Sequence, residues 1–376
     1  MNLNTRIQYY LQQRKENNLY RTLKNINGLI DFSSNDYLGL SRSVYIKQQV
    51  EIDAKNYLHH KSGATGSRLL NGNSELFEEV EVLLAKTHHA ESALLFNAGF
   101  DANVGLISTV ARPNDTIFYD ELVHASIHQG MQLSGAKLVP FKHNDMLDLE
   151  NLLKETTYDI AFLITESIFS MEGDKADLEK IAELSTTYKV ALIVDEAHAT
   201  GLFGSQGSGL CNVAKIEAKC FARVYTFGKA IGSHGAVVVG SQQLKEYLIN
   251  FSKNFIYSTA LETHNLLSVK HSYLYIQSNV NQIFKLIELN KYFNIKSELI
   301  NDRFNVCGDG PIFGIIVGDN KKCLDLSTYL QLHGFDIRAI LSPTVPKATE
   351  RLRVIMHSYN TKEEIDCLFQ LIIDYQ

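Results

Sequence analysis

Val190-Ala-Leu-Ile-Val-Asp-Glu-Ala-His-Ala-Thr-Gly201 decides how this chain is read. The apolar run Val190–Val194 stops at a carboxylate, and polar residues follow at once. Short runs of this kind, without polar alternation, read as strands buried on both faces. The same pattern recurs on both sides. Ala93–Phe96, Thr116–Tyr119, Lys137–Pro140, Ile160–Thr165, Ala222–Thr226 and Ala236–Val239 are candidate strands, with helix-length amphipathic pieces such as Asp177–Tyr188 between several of them. The alternation predicts an α/β fold, a mostly parallel central sheet flanked by helices. Ligands of such sheets sit beyond the carboxyl ends of the strands, where most polar clusters of this chain fall.

Outward from that centre the pattern changes. Between Asn4 and Asn18, Ile7, Tyr10 and Leu11 recur at helical spacing and predict a docking helix with a modest apolar stripe. Leu29-Ile-Asp-Phe32 reads as a short strand before the turn-rich Ser33-Ser-Asn-Asp-Tyr-Leu-Gly39. Asn73-Ser74 ahead of Glu75 to Glu79 reads as a capped, acidic helix start. Beyond Leu261 a long helical pattern runs to about Leu299. Short strands (Ile312–Val317, Phe335–Ile340, Arg353–Met356) and helices (Cys323–His333, Thr361–Ile373) then predict a smaller C-terminal α+β domain. The expected division is an arm with a short strand over 1–42, a large domain over 43–275 and a small one over 276–376.

Bulk properties narrow the partners. The 376 residues, 45% apolar and 21% charged, belong to an ordinary globular protein. A net charge of -6 gives no electrostatic case for nucleic acid or an anionic membrane. Cys211, Cys220, Cys307, Cys323 and Cys367 form no C-x-x-C pair and read as free thiols of a reducing compartment. The start, Met1-Asn-Leu-Asn-Thr-Arg6, lacks the apolar core of a signal peptide, and no apolar run approaches the roughly 20 residues of a membrane span. The expected location is the cytoplasm. His59-His60 and His88-His89 lack a carboxylate or cysteine at useful spacing, so no metal site is expected.

Several segments carry candidate chemistry. Asp195 and His198 can address two atoms of a flat heteroaromatic ligand, the carboxylate keeping a ring nitrogen protonated. Taken alone, a turn-capping Asp and a backbone-bonded His fit equally well. Asp-Glu-Ala-His is also a metal and water motif of nucleic-acid-dependent ATPases, but the phosphate loop these need is missing: Gly228-Lys229 is followed by Ala230, and Arg223 stands five positions before Gly228. Lys229, in Tyr225-Thr-Phe-Gly-Lys-Ala-Ile-Gly232, sits among small residues just past an apolar run, with room to bond an aldehyde covalently. An isolated lysine there would read as a surface residue of a glycine-rich turn; its position after Asp195 and His198 reverses that. Phe96-Asn-Ala-Gly-Phe-Asp101 offers a helix start for a phosphate, or simply a tight turn. In Asp120-Glu-Leu-Val-His-Ala-Ser126, His124 either stacks on a flat ring or begins a helix. Thr165-Glu-Ser-Ile-Phe-Ser-Met-Glu-Gly-Asp174 places hydroxyls and carboxylates after another strand. Pro343-Thr-Val-Pro346 precedes Glu350-Arg-Leu-Arg353, where Arg351 and Arg353 share a strand face; one can clamp a carboxylate while the other is an exposed charge. No G-x-S-x-G elbow and no G-x-G-x-x-G after a strand supports a hydrolase or nicotinamide reading.

In this order, these segments resemble the α-oxoamine synthases, pyridoxal phosphate (PLP) enzymes of fold type I. The resemblance runs from Phe32-Ser-Ser-Asn-Asp-Tyr-Leu-Gly-Leu40 to Arg353 and is most specific in Asp195-Glu-Ala-His198 and Thr226-Phe-Gly-Lys229. Gly228-Lys-Ala-Ile-Gly-Ser233 and Ser258-Thr-Ala-Leu261 point to the biotin-pathway branch. The resemblance implies that Lys229 holds the cofactor and then shuttles a proton. It implies further that Asp195 pairs with the pyridine nitrogen, His198 with the ring hydroxyl, and that His124 stacks on the ring. Gly99 and Phe100, with Ser170 and Thr226, would hold the cofactor or its phosphate, and Thr259 would reach the phosphate of a neighbouring subunit in a homodimer with shared sites. Arg353, helped by Asn35, would bind the amino-acid carboxylate, with Thr344 and Arg21 contacting substrate. Glu262-Thr263 and Asn97-Ala98 depart from the family pattern without removing a catalytic group.

The implied reaction is a decarboxylative condensation of L-alanine with a pimeloyl thioester on coenzyme A or acyl carrier protein. Its rivals are a sister reaction with glycine or another amino acid and a different acyl-CoA, the ATPase, and a PLP-binding protein without turnover.

Overall fold

A computed structural model describes residues 2–23, 28–57 and 62–375. His59 and His60 lie outside the described residues. The chain divides into two compact units, the larger of Asn35–Ser170 and Lys175–Phe284, the smaller of Met1–Ser34, Met171–Asp174 and Lys285–Gln376.

A two-residue strand of the smaller unit, β1 (Ile30–Asp31), comes first in the chain. The larger unit supplies β2 (Ser92–Phe96), β3 (Thr116–Asp120), β4 (Lys137–Phe141), β5 (Ala161–Glu166), β6 (Ala191–Asp195), β7 (Cys220–Thr226) and β8 (Ala236–Gly240). They form one sheet in the order β2-β8-β7-β6-β5-β3-β4. The pairs from β4 to β7 are all parallel, as the apolar runs predict. β8 runs antiparallel to both its neighbours, β7 and β2. The reason is chain length: only Phe227–Gly235 joins β7 to β8, fewer residues than the dozen or so a parallel crossover needs.

Every residue of β2 and β5 is buried. A fully buried Leu or Ile contributes about 1.5–3 kcal/mol of transfer free energy, and Leu163, Leu192 and Ile193 in the sheet centre are at most 1% exposed. The helix Leu178–Thr187 shows how the flanking layer forms: Asp177 caps its start by accepting from the Lys180 N–H, and Leu178, Ile181, Ala182 and Leu184 make its buried stripe. At Glu75–Thr87 the expected cap is only half realised, because Ser74 sits at the N-cap position without a side-chain bond. The N-terminal helix forms over Leu3–Glu16 and buries no residue within the single chain.

In the smaller unit β9 (Asn305–Cys307), β10 (Ile312–Ile316), β11 (Phe335–Asp336), β12 (Arg338–Ile340) and β13 (Arg351–Ile355) complete the strands. An antiparallel sheet runs β12-β13-β10-β9, while β11 pairs with β1 in parallel. The single strand expected over Phe335–Ile340 is therefore two, serving different sheets. At the break, the Ile337 carbonyl accepts from Ser327 Oγ (2.8 Å) and Gln331 Nε2 (2.9 Å) of the helix Asn320–Leu332. Phe293 stacks on Phe313 at 4.3 Å and meets Phe369 at 5.0 Å to form this unit's core.

The helical pattern from Leu261 to Leu299 resolves into Thr263–Ser278 and Asn281–Ser297. Asn279 separates them in an extended conformation, its amide donating to the Tyr275 carbonyl and closing the first helix. Among the described residues no helix is long and apolar enough to cross a membrane.

Candidate active site

Glu166, Asp195 and Thr226 end β5, β6 and β7 on the same edge of the larger sheet, with Glu166 directly paired to Asp195 in register. A cavity of about 280 Å³ opens over this edge. Eight expected residues line it: Asn35, Gly99, Phe100, His124, Asp195, His198, Thr226 and Lys229. They come from positions spread over almost 200 residues, and the parallel topology gathers them at the carboxyl ends of the strands.

Asp195 is 5% exposed, and both its oxygens are held. Oδ1 accepts from the Ala197 N–H at 2.8 Å, and Oδ2 accepts from Asn103 Nδ2 at 2.7 Å. His198 Nδ1 bonds the hydroxyl of the fully buried Tyr37 at 2.6 Å, and that hydroxyl reaches Asn35 Oδ1 at 3.2 Å. His124 caps the helix Ala125–Ser134 as well as lining the cavity, so the two readings of this residue are compatible. Its Nδ1 meets Ser126 Oγ at 2.8 Å. Desolvation lowers its proton affinity against the pull of the Asp195 charge, and the Lys229 charge lowers it further.

Glu166 is 3% exposed and accepts from the His124 N–H at 2.6 Å. Burial, reinforced by the neighbouring Asp195 charge, pushes its carboxyl well above the usual range; Lys229 and the His124 N–H oppose this. Glu166, Asn103, Ser126 and Tyr37 are the site residues that sequence reasoning missed. An amide inside the otherwise apolar Ala102-Asn-Val-Gly-Leu-Ile107 was the available signal for Asn103.

At the far end of the cavity the helix Gly99–Val110 begins without a side-chain cap, since Ala98 occupies the N-cap position. First-turn N–H groups of such a helix are available to an anion. Next to them the buried Thr226 Oγ1 has no hydrogen-bond partner. A Cβ at position 99 would come within 2.5 Å of Thr226 Cγ2, so glycine keeps this corner open. An amine, a fixed carboxylate, two imidazoles and an orphaned hydroxyl at a bare helix start form the donor set that PLP requires. The residues fit the group.

The remaining expected residues lie elsewhere. Ser170 is half-buried in the larger unit and is not part of the cavity wall. Thr259 is exposed, and its carbonyl accepts from Asn97 Nδ2 at 2.6 Å. Arg21 and Thr344 share a separate cavity of about 820 Å³ within the smaller unit. Arg353 stands in β13, in register with Gly314 and Arg338. The other arginine of that face is not an exposed charge: Arg351 is 5% exposed, donating to the Met171 carbonyl at 3.1 Å and to Glu172 Oε1 at 3.2 Å. Among the described residues no group of His, Cys, Asp or Glu is arranged to hold a metal ion.

The chain is similar over nearly its whole length to proteins of known family. A protein of Emericella nidulans named 8-amino-7-oxononanoate synthase is 39% identical, the match covering 96% of this chain and 93% of the relative. The solved 8-amino-7-oxononanoate synthase of Francisella tularensis superposes with a TM-score of 0.77 at 29% identity, covering 92% of this chain and 97% of the other. Serine palmitoyltransferase of Sphingomonas wittichii shares the fold, with a TM-score of 0.89 at 23% identity and coverage of 99% and 97%. The sequence pattern described as aminotransferase class I and II matches residues 27–372. With a match of that extent and a relative aligned along nearly its whole length, the chain belongs to the class I and II aminotransferase family and has the fold of the type I PLP-dependent transferases.

Proposed function

We propose that this chain is a PLP-dependent acyltransferase that condenses L-alanine with a pimeloyl thioester to give 8-amino-7-oxononanoate, a step of biotin synthesis. A carbon–carbon bond forms between the alanine α-carbon and the thioester carbonyl, while the thiol and carbon dioxide leave. The observation that carries this reading is the convergence of Lys229, Asp195, His198 and His124 on one cavity, in a chain 39% identical to a relative of that name.

PLP, when bound, supplies an aldehyde for the amine and an electron-withdrawing ring that takes up charge from the α-carbon. Lys229 would hold the cofactor, and its Nζ would take the α-proton. Asp195 keeps the proton on the pyridine nitrogen, and its two fixed oxygens hold it ready without reorientation. His198 bonds the ring hydroxyl and is itself steadied by Tyr37. His124, on the cavity wall, would stack on the ring face. Gly99, Phe100 and Thr226 would receive the phosphate at the uncapped helix start. Asn35, on the cavity wall, would contact the alanine carboxylate. The protein works as a cytoplasmic homodimer in which Thr259 of one copy serves the phosphate site of the other.

Borohydride reduction of the purified, PLP-loaded protein followed by peptide mapping should place the adduct on Lys229, and Lys229→Ala should lose both adduct and turnover. Normal turnover by that variant would sink the assignment. A panel of amino acids and acyl thioesters, on coenzyme A and on acyl carrier protein, identifies the substrates; preference for glycine with a short acyl-CoA would replace the alanine reaction by its sister.

A further inference from the structure

Asn103 and Ser126 line the cavity but have no part in the chemistry described so far. Asn103 lies one turn into the helix Gly99–Val110, is 2% exposed and has apolar neighbours in sequence; Ser126 is fully buried. A buried amide costs about 1–3 kcal/mol if its hydrogen bonds are not made. Asn103 makes two, donating from Nδ2 to Asp195 Oδ2 at 2.7 Å and to Ser126 Oγ at 3.0 Å. The amide nitrogen has two hydrogens, so both bonds coexist, and the flipped orientation would set a carbonyl oxygen against a carboxylate. Having accepted from Asn103, the Ser126 hydroxyl has its own hydrogen to donate to His124 Nδ1 at 2.8 Å. The Ser126 backbone N–H points at the same nitrogen from 3.2 Å. Two donors facing Nδ1 leave no room for a proton there, so the ring proton sits on Nε2.

We propose that Asn103 is a positioning residue that couples the Asp195 carboxylate to the His124 ring through Ser126, fixing the carboxylate's orientation and holding His124 as the neutral Nε2–H tautomer. The coupling stands on geometry alone; its effect on turnover rests on the proposed function. A neutral imidazole would avoid like-charge repulsion with a protonated pyridine ring, and a carboxylate held by Asn103 on one oxygen and Ala197 on the other cannot swing away. The charged and titratable groups facing His124 are Asp195 on β6, Lys229 after β7, Glu166 on β5 and His128 on its own helix. Burial also favours the neutral ring.

Nitrogen-15 NMR of the full-length, PLP-loaded protein with labelled histidine tests the coupling. The chain has thirteen histidines, and the His124 signals are those missing from His124→Gln. In the wild type, Nε2 should be protonated and Nδ1 bare through neutral pH. Ser126→Ala should let His124 populate the other tautomer or the imidazolium, while the pH titration of cofactor absorbance stays in place. Asn103→Leu, which keeps the number and branching of the side-chain heavy atoms and removes both donors, should shift both, with kcat reduced about tenfold or more and KM for the amino acid changed less. An unaltered His124 tautomer in Ser126→Ala, or an unaltered tautomer and cofactor titration in Asn103→Leu, would overturn the proposal. Should Asn103→Leu fail to fold, Ser126→Ala decides by itself. A protein with the expected tautomer that consumes no thioester would refute the proposed function and leave the coupling intact.

Discussion

Gly99 and Thr226 meet so closely that one methyl group would close the corner of the cavity proposed to receive the phosphate. A side-chain Cβ at position 99 would lie 2.5 Å from Thr226 Cγ2, and relieving an overlap of this kind costs about 1–3 kcal/mol. Gly99→Ala is therefore expected to weaken PLP binding roughly tenfold or more, measured by equilibrium titration of the apoprotein. Of the residues around the cavity, Lys229, Asp195, His198 and His124 were legible in sequence because their side chains announce a reaction. Asn103 and Tyr37 were not: their partners Asp195 and His198 stand 92 and 161 positions away, and neither residue type implies chemistry until that distance is closed. Glu166 lay inside a quoted segment, yet nothing in a string of residues shows that its carboxyl would be paired in register with Asp195.

Strands and helices differ in how much of themselves they reveal. Buried strands appear as unbroken apolar runs, and β2, β3, β5, β6, β7 and β8 were found within a few residues of their ends for that reason, while β4, a largely unburied edge strand, was found from its β-rich composition. Strand direction and partner were hidden, because the antiparallel course of β8 follows from a short connection rather than from its own residues. The break at Ile337 was hidden too, since it depends on two side chains of another element capturing a carbonyl. Helix ends are clearer. Thr361 accepts from the Glu364 N–H while the Glu364 side chain returns to the Thr361 N–H, a complete capping box at the start of Lys362–Asp374. Thr361→Ala should cost about 1 kcal/mol, seen as faster hydrogen exchange in the first turn of that helix with little change in the larger sheet.

For the molecule as a whole, acid resistance is expected to hinge on a histidine that takes no part in catalysis. His88 is fully buried, stacked on Tyr225 at 3.6 Å and bonded through Nδ1 to the Ser208 carbonyl and through Nε2 to the Tyr273 hydroxyl. Burial lowers its pKa to about 3 from the ordinary 6.5. Between those values the unfolded chain binds a proton that the folded ring refuses, so stability falls as the pH drops from 6.5 towards 3, by something on the order of 4 kcal/mol from this group alone. His88→Gln should be less stable at pH 7 but show a flatter loss on acidification, measured by urea unfolding across that range. The strand order has a different consequence. β2 borders only β8, which is made some 140 residues later, so on the ribosome this edge of the sheet must wait. Until translation passes Gly240, β2 remains an unpaired apolar edge on a growing nascent chain, in need of shelter from aggregation.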